Sequence, residues 1–287
     1  MISSNSLNPK VSIITPGYNS AQFIEETILS VKNQTYSPIE HIVMDGGSTD
    51  GTVDILRRYE GTYDLRWWSE PDRGQSHAFN KGILAATGEW LYFLNTDDYL
   101  LDNYSISRVM DYITHHPGYS IYMGKIWAVD AERHVLNKNE VPFAHAVYTH
   151  DILLNRNAMV VHQGTFYNRH VFEQAGGYSE RLRYHMDYEF HLRASKDFEI
   201  LTMEFPIATL RTHAGAKTQD RSPDHAIELF WARRVNGGKL LHRHNLFFLK
   251  IYLASHSYTR KLYEVLKKVT LFQRFANRTG WNRLNLR

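Results

Sequence analysis

WLYFLNTDDYLL, residues 90–101, is the stretch that decides how the chain is read. Its apolar run Leu91, Tyr92, Phe93, Leu94 reads as a buried strand, and it stops abruptly at Asn95, Thr96, Asp97 and Asp98. Two adjacent carboxylates at the end of a central strand repel one another and have to be neutralised. A hard divalent cation shared with a phosphate does this well. Asp in such a turn also serves as an ordinary helix N-cap, so the flanking segments have to separate the two uses.

Upstream, strand and helix patterns alternate. Val11–Thr15 is a β-branched run stopped by Pro16-Gly17, and residues 20–34 carry apolar positions at helical spacing with Glu25 and Glu26 in the first turn. His41–Met44 is a second strand, ending in Asp45-Gly46-Gly47-Ser48-Thr49-Asp50, with Asp50 or Thr52 able to cap a helix over 53–59. Leu65–Trp68 is a third strand, and 76–86 a third helix closed by Gly88. Such alternation with short connections calls for a mostly parallel sheet covered by helices on both faces. Ligands of these sheets collect beyond the C-terminal strand ends, where residues 15–19, 45–50 and 95–98 would gather. The first turn, TPGYNSAQ, has neither the G-x-G-x-x-G of a dinucleotide site nor the pattern of a P-loop. Gly46-Gly47-Ser48 is a weak candidate phosphate cradle.

Beyond residue 105 the alternation fades. The pattern predicts a helix over 106–116, a strand over 120–128, a polar hairpin over 130–141 and a less regular stretch over 151–157. Helices follow over 169–175 and 186–195, then one or two strands over 199–209. Residues 206–223 read equally as a lid loop over the site or a plain surface loop.

Composition narrows the classes. The chain of 287 residues has no cysteine, which excludes disulfides, thiolate zinc sites and cysteine nucleophiles and fits a reducing cytoplasm. No run of about 18 apolar residues suggests a membrane span, and the N-terminus lacks a signal-peptide core. Charge is unevenly spread. Residues 233–287 hold 13 Lys and Arg against one acid, a net of +12, so the preceding 232 residues carry 20 basic and 29 acidic groups, a net of −9. The basic, aromatic-rich stretch 239–287 reads as a peripheral contact with an anionic membrane face. An extension packed on the body, or a homodimer interface, also fits. Nucleic-acid binding suits the charge but has no support from the acidic body.

Six blocks resemble family 2 glycosyltransferases of the GT-A fold. They are VSIITPGYN (11–19), MDGGSTDGT (44–52), SEPDRGQSHAFNKG (69–82), FLNTDDYL (93–100), HQGTFYNRHVFEQAGGY (162–178) and MDYEFHLR (186–193). The resemblance implies an α/β fold with a Rossmann-like nucleotide-binding half (1–104), an acceptor half (105–215), a mixed central sheet, and a helical C-terminal extension (216–287). It implies that Thr15, Pro16, Tyr18, Asn19, Asp45 and Asp97 face the nucleotide. Arg73 and Lys81 are candidates to reach the diphosphate; the plainer readings are an Asp72–Arg73 pair within the turn and, for Lys81, an exposed helix face. Asp98 and His213 would hold Mn²⁺ or Mg²⁺, and His162 and Gln163 would lie on the acceptor side. Asp187 matches the catalytic base of inverting members; read without the resemblance, it is a surface carboxylate paired with His191 one turn on. Asn95 stands where many relatives have the first Asp of a D-x-D, so the site holds one fewer charge.

Sugar transfer needs a stabilised leaving diphosphate, a base for the acceptor hydroxyl and in-line positioning. The expected activity is therefore metal-dependent, inverting transfer from a nucleotide-sugar, with UDP favoured by analogy, to a glycan or lipid-linked acceptor at the inner face of the cell membrane. A nucleotidyltransferase and an inactive nucleotide-sugar-binding relative are the alternatives.

Overall fold

The computed structural model describes residues 8–138, 145–155, 160–217, 222 and 224–238. Four parallel strands build its first half: β1 (Val11–Gly17), β2 (Ile39–Asp45), β3 (Leu65–Ser69) and β4 (Trp90–Phe93). Three helices connect them: α1 (Ile24–Lys32), α2 (Thr52–Tyr59) and α3 (Gln75–Ala85). β1 lies between β2 and β4. The chain therefore builds outward on one side, then returns to the other, which opens a crevice beyond the C-terminal ends of β1 and β4.

After α4 (Ser105–His115) come β5 (Ile121–Val129), β6 (Val135–Asn137), β7 (Val147–Tyr148), α5 (His150–Asn155), β8 (Thr165–Asn168), α6 (Arg169–Ala175), α7 (Met186–Ala194) and β9 (Ile200–Arg211). The sheet order is β3-β2-β1-β4-β8-β5-β9-β7, with β6 on β5. β8 runs antiparallel between β4 and β5, so the sheet is mixed, as the family resemblance implies. One compact unit spans residues 1–220, and α8 (Asp224–Val235) belongs to a second, 221–287. The expected membrane segment 239–287 lies outside the described residues. No described helix is long and apolar enough to cross a membrane.

Period-two alternation sends successive β4 side chains to opposite faces. Tyr92 stacks on Phe166 at 4.5 Å on the side that also buries Ile106, Val109 and Met110 of α4. Phe93 meets Phe79 of α3, Tyr167, Phe172 and Tyr178 edge-on or tilted on the other. α3 presses its backbone on β1: a Cβ at Gly82 would sit 2.3 Å from Ile14 Cγ2.

Three expectations need correction. Residues 206–211 are strand, not loop. Pro206 falls where the β5 pairing shifts register, opposite Lys125, a bulge at which a missing N–H costs little, and Ile207, Ala208, Thr209 and Arg211 are buried beyond it. A lid over 206–223 therefore has no basis in its first six residues. The stretch expected to be irregular contains α5, which buries Leu153. At α2 the cap position falls on Gly51 and on neither Asp50 nor Thr52; Asp50 accepts from the Thr52 amide at 3.0 Å, while Thr52 Oγ1 accepts from the Ser20 amide.

At the opposite end of the sheet from the crevice, the buried Glu40 carboxylate gathers Lys10, Arg66, Ser12 and the amides of Thr87 and Gly88. Burial raises its pKa, but the hydrogen bonds from Ser12, Thr87 and Lys10 outweigh this and bring it from 4.5 to about 2. A depressed carboxylate stabilises the fold above its unfolded value and loses that contribution as pH falls through its folded one. Glu40→Gln should therefore be less stable than the native chain at pH 6. In urea titrations the gap should shrink below pH 4.5 and close near pH 2.

Candidate active site

The turn after β4 is tied down from two sides. Thr27 Oγ1 of α1 donates to the carbonyls of Thr96 (2.9 Å) and Asp98 (2.7 Å), and the Tyr99 and Thr209 backbones hold the far side to β9. Arg211 completes the clamp. Its amide donates to Asp98 Oδ1 at 2.8 Å, its Nε to the Asp97 carbonyl at 2.7 Å and its Nη1 to the Ala131 carbonyl at 2.8 Å. The remaining amine pairs with Glu26, and the guanidinium lies over the Phe23 and Tyr99 rings. It is 3% exposed, so this fork is desolvated, with an acceptor on each of its three nitrogens.

Asp98 is 1% exposed. Besides the Arg211 amide it accepts from Asn95 Nδ2 (3.0 Å) and Gln163 Nε2 (3.2 Å). Burial, followed by the neighbouring Asp97 charge, still pushes its carboxyl well above the ordinary range. That imbalance is what a cation would relieve. Asp97 is partly exposed, and His213 Nε2 stands 3.1 Å from its Oδ2. Two carboxylates and an imidazole are ligand types that Mn²⁺ or Mg²⁺ accepts. Among the described residues, however, the one set of three whose ligating atoms lie within 4.8 Å of one another is Asp130, Glu132 and His134, on the β5–β6 turn, and not Asp97, Asp98 and His213. There His134 donates its amide to one Asp130 oxygen and sets its Nδ1 2.9 Å from the other, a local turn bond.

The acceptor-side candidates meet the same cluster. His162 sits in a 3₁₀ turn (His162–Gly164) before β8, with Nε2 3.2 Å from Asn95 Oδ1 and Nδ1 3.4 Å from Asp187 Oδ2. Asp187, in the first turn of α7, also accepts from the Tyr188 amide at 2.8 Å. Burial raises its pKa, but His162 and then His191 outweigh burial and lower it. The surface pairing with His191 is not formed. That ring is buried and bonds Tyr167 Oη at 2.7 Å.

The nucleotide-side candidates divide. Pro16 is buried in β1 and Tyr18 is exposed beyond it. Asn19, at φ +49°, accepts from the Thr49 amide and takes Ser48 Oγ on its own. Thr15 is buried, with its hydroxyl 2.9 Å from His41 Nε2 inside the sheet. Asp45 accepts from the Gly47 and Ser48 amides and from the Ser48 and Ser69 hydroxyls. Those two amides are therefore used on Asp45 and do not form a phosphate cradle. Arg73 pairs with Glu180 at 2.7 Å and not with Asp72, and Lys81 is half-buried in a pair with Glu70 at 2.9 Å and not on an exposed face. Gln75, Arg211 and Lys217 are absent from the sequence-derived candidates. Gln75 lies within the SEPDRGQSH block, and Arg211 two residues before His213.

The chain matches the model described as Glycosyl transferase family 2 over residues 12–176. It belongs to that family. A PGL/p-HBAD biosynthesis glycosyltransferase of Mycobacterium tuberculosis is 30% identical over 196 residues, 68% of this chain and 73% of that protein. Among solved structures, S. aureus TarS in complex with UDP-GlcNAc superposes with TM-score 0.66 at 21% identity, over 85% of this chain and 71% of that one. The mannosyltransferase PcManGT from Pyrobaculum calidifontis, in complex with GDP-Man and Mn²⁺, gives 0.61 at 18% identity, over 96% and 84%. These two likenesses show the GT-A fold, and the family makes the chain a glycosyltransferase.

Arg211→Lys keeps the charge but cannot span the Asp97 carbonyl, the Ala131 carbonyl and Glu26 together. It should cost about 1–3 kcal/mol in urea unfolding. Arg211→Met should cost more, because Glu26 loses one of its two arginine partners and keeps only Arg133, and adding Glu26→Gln should recover part of the loss.

Proposed function

We propose that this family 2 glycosyltransferase transfers a sugar, with inversion, from a nucleoside-diphosphate donor to a hydroxyl of a glycan or lipid-linked acceptor in bacterial envelope glycoconjugate assembly. The observation that carries the reading is convergence. Asp187 on α7 and Asp98 after β4 come together at the switch-point crevice, joined through the side chains of His162 and Asn95 alone. This convergence supports a base and a phosphate-side carboxylate acting in one reaction.

In this reading the nucleotide lies along Asp45, Asn19 and Asp97, and the acceptor enters beside Gln163 and His162. Asp187 removes the acceptor proton as the oxygen attacks the anomeric carbon. The carbon–phosphate oxygen bond breaks with its electron pair on the leaving diphosphate. One base and one in-line displacement invert the anomeric centre. Asp98, Asp97 and His213 would hold a divalent cation, whose contribution when bound is charge stabilisation of the diphosphate. The donors named for the structural neighbours, UDP-GlcNAc and GDP-Man, support a nucleoside-diphosphate sugar and divide between bases. The relative named for PGL/p-HBAD biosynthesis supports a part in glycoconjugate biosynthesis. The +12 charge of 233–287 supports docking at an anionic bilayer face that would hold it.

Calorimetric titration of UDP, GDP and dTDP with Mn²⁺ tests the donor side. One nucleotide should bind tightly, and EDTA or Asp98→Ala should abolish the binding. Asp187→Asn should bind that nucleotide normally while kcat falls by about 10²–10⁴. Binding of no nucleotide would overturn the reading.

A further inference from the structure

Resting on that reading, with Asp187 as base, we infer that His162 is a positioning residue whose proton-bearing Nε2 is fixed through Asn95 and Gln75 by Lys217, so that one proton bridges His162 Nδ1 and Asp187. The argument is a chain of donors and acceptors that can be filled in one way. Lys217 Nζ stands 2.9 Å from Gln75 Oε1. An ammonium group only donates, so this oxygen accepts and Gln75 turns its amide nitrogen the other way. That nitrogen donates to Asn95 Oδ1 at 2.7 Å, which orients the Asn95 amide in turn. Asn95 Nδ2 then faces Asp98 Oδ2 at 3.0 Å, a carboxylate oxygen that accepts it. Both ends of the chain demand the same orientation.

Asn95 Oδ1 is therefore the atom that meets His162 Nε2 at 3.2 Å, and a carbonyl oxygen requires N–H there. The other ring nitrogen faces Asp187 Oδ2 at 3.4 Å. A singly protonated ring would set a bare lone pair against a carboxylate in a buried site. A proton between Nδ1 and Oδ2 removes that repulsion and makes the contact a charge-assisted bond.

Among the described residues, the groups packed on the couple leave its charge balance unchanged at pH 7. His191, one turn along α7, is pushed down to about 4 by burial and stays neutral. Tyr167 and Tyr178 are pushed up by burial and stay phenols. Phe79 covers the His162 ring edge-on at 5.4 Å, and Arg193 pairs with Glu189.

The consequence concerns the base. A buried carboxylate alone would hold its proton and fail as a base at the acid end of the range. The bridging proton keeps Asp187 ionised and aimed while leaving its Oδ1 side to the acceptor. Asn95, with an amide where an aspartate would present two identical acceptor oxygens, can donate to Asp98 and accept from His162 at once.

Side-chain ¹⁵N–¹H correlation spectra of the full chain at pH 7, with His162→Gln for assignment, read the ring directly. Nε2 should carry a proton in the native protein and in Asp187→Asn. The Nδ1 proton should be present in the native protein and lost in Asp187→Asn. A native ring protonated on Nδ1 with a bare Nε2 would overturn the inference. The pH profile of kcat/KM gives a second readout: His162→Gln should move its acid limb upward by about 1 unit or more. A uniform fall in rate with the limb unmoved would mean a structural role only. The nitrogen spectra need no turnover, so they succeed or fail separately from the glycosyltransferase reading.

Discussion

One buried carboxylate governs the architecture around the crevice. Asp98 ends a strand buried on both faces and lies beside a second aspartate. In water it would be solvated; here its solvation is replaced by the Arg211 amide, Gln163 and Asn95, drawn from β9, the turn before β8 and its own turn. Each donor comes from a different part of the sheet. The turn cannot relax without disturbing β9 or the β8 approach, and those elements cannot shift without stripping Asp98. The surplus of negative charge that remains is an imbalance of the kind that makes a site useful to a cation and its phosphates.

Arg211 explains how such a turn is tolerated. A guanidinium buried between two aromatic rings would be expensive if its nitrogens lacked acceptors. Each of the three meets one, the Asp97 carbonyl, the Ala131 carbonyl or Glu26, so it joins α1, the β5–β6 turn and the β4 turn into one piece. Lysine, with a single point of charge, would leave part of this unmet.

Much of the nucleotide-side half was legible because its signals are local. Val11–Thr15 and His41–Met44 are β-branched or apolar runs ended by turn residues, and α1 announces itself by apolar spacing with acids in the first turn. The family blocks point Asp97, Asp98 and Asp187 towards one site, with His213 outside those blocks; in the fold His213 stands beside Asp97, and Asp187 reaches the β4 turn through His162 and Asn95. β9 was legible only as far as residue 209, because a proline and charged neighbours imitate a loop, and the register shift that admits Pro206 depends on β5. Arg73 and Lys81 show the reverse limit. Their charges suit a diphosphate, but Glu180 and Glu70 lie 107 and 11 residues away, and only folding shows that they claim them.

Asn95 is the sharper case. Taken as a residue type, it is a missing charge in a D-x-D pattern and implies a weaker site. Taken in place, it is the one residue in that turn whose two ends differ, one an acceptor and one a pair of donors. A carboxylate there would accept from His162 and Gln75 but would repel Asp98, already the least compensated group in the crevice. The amide accepts from both and donates to Asp98 as well, so what is lost in charge is recovered in orientation. Its partners bring the aim of the proposed base into question beside metal affinity. Two of those, Gln75 and His162, lie 20 and 67 residues away in sequence, beyond what the residue's name alone can show.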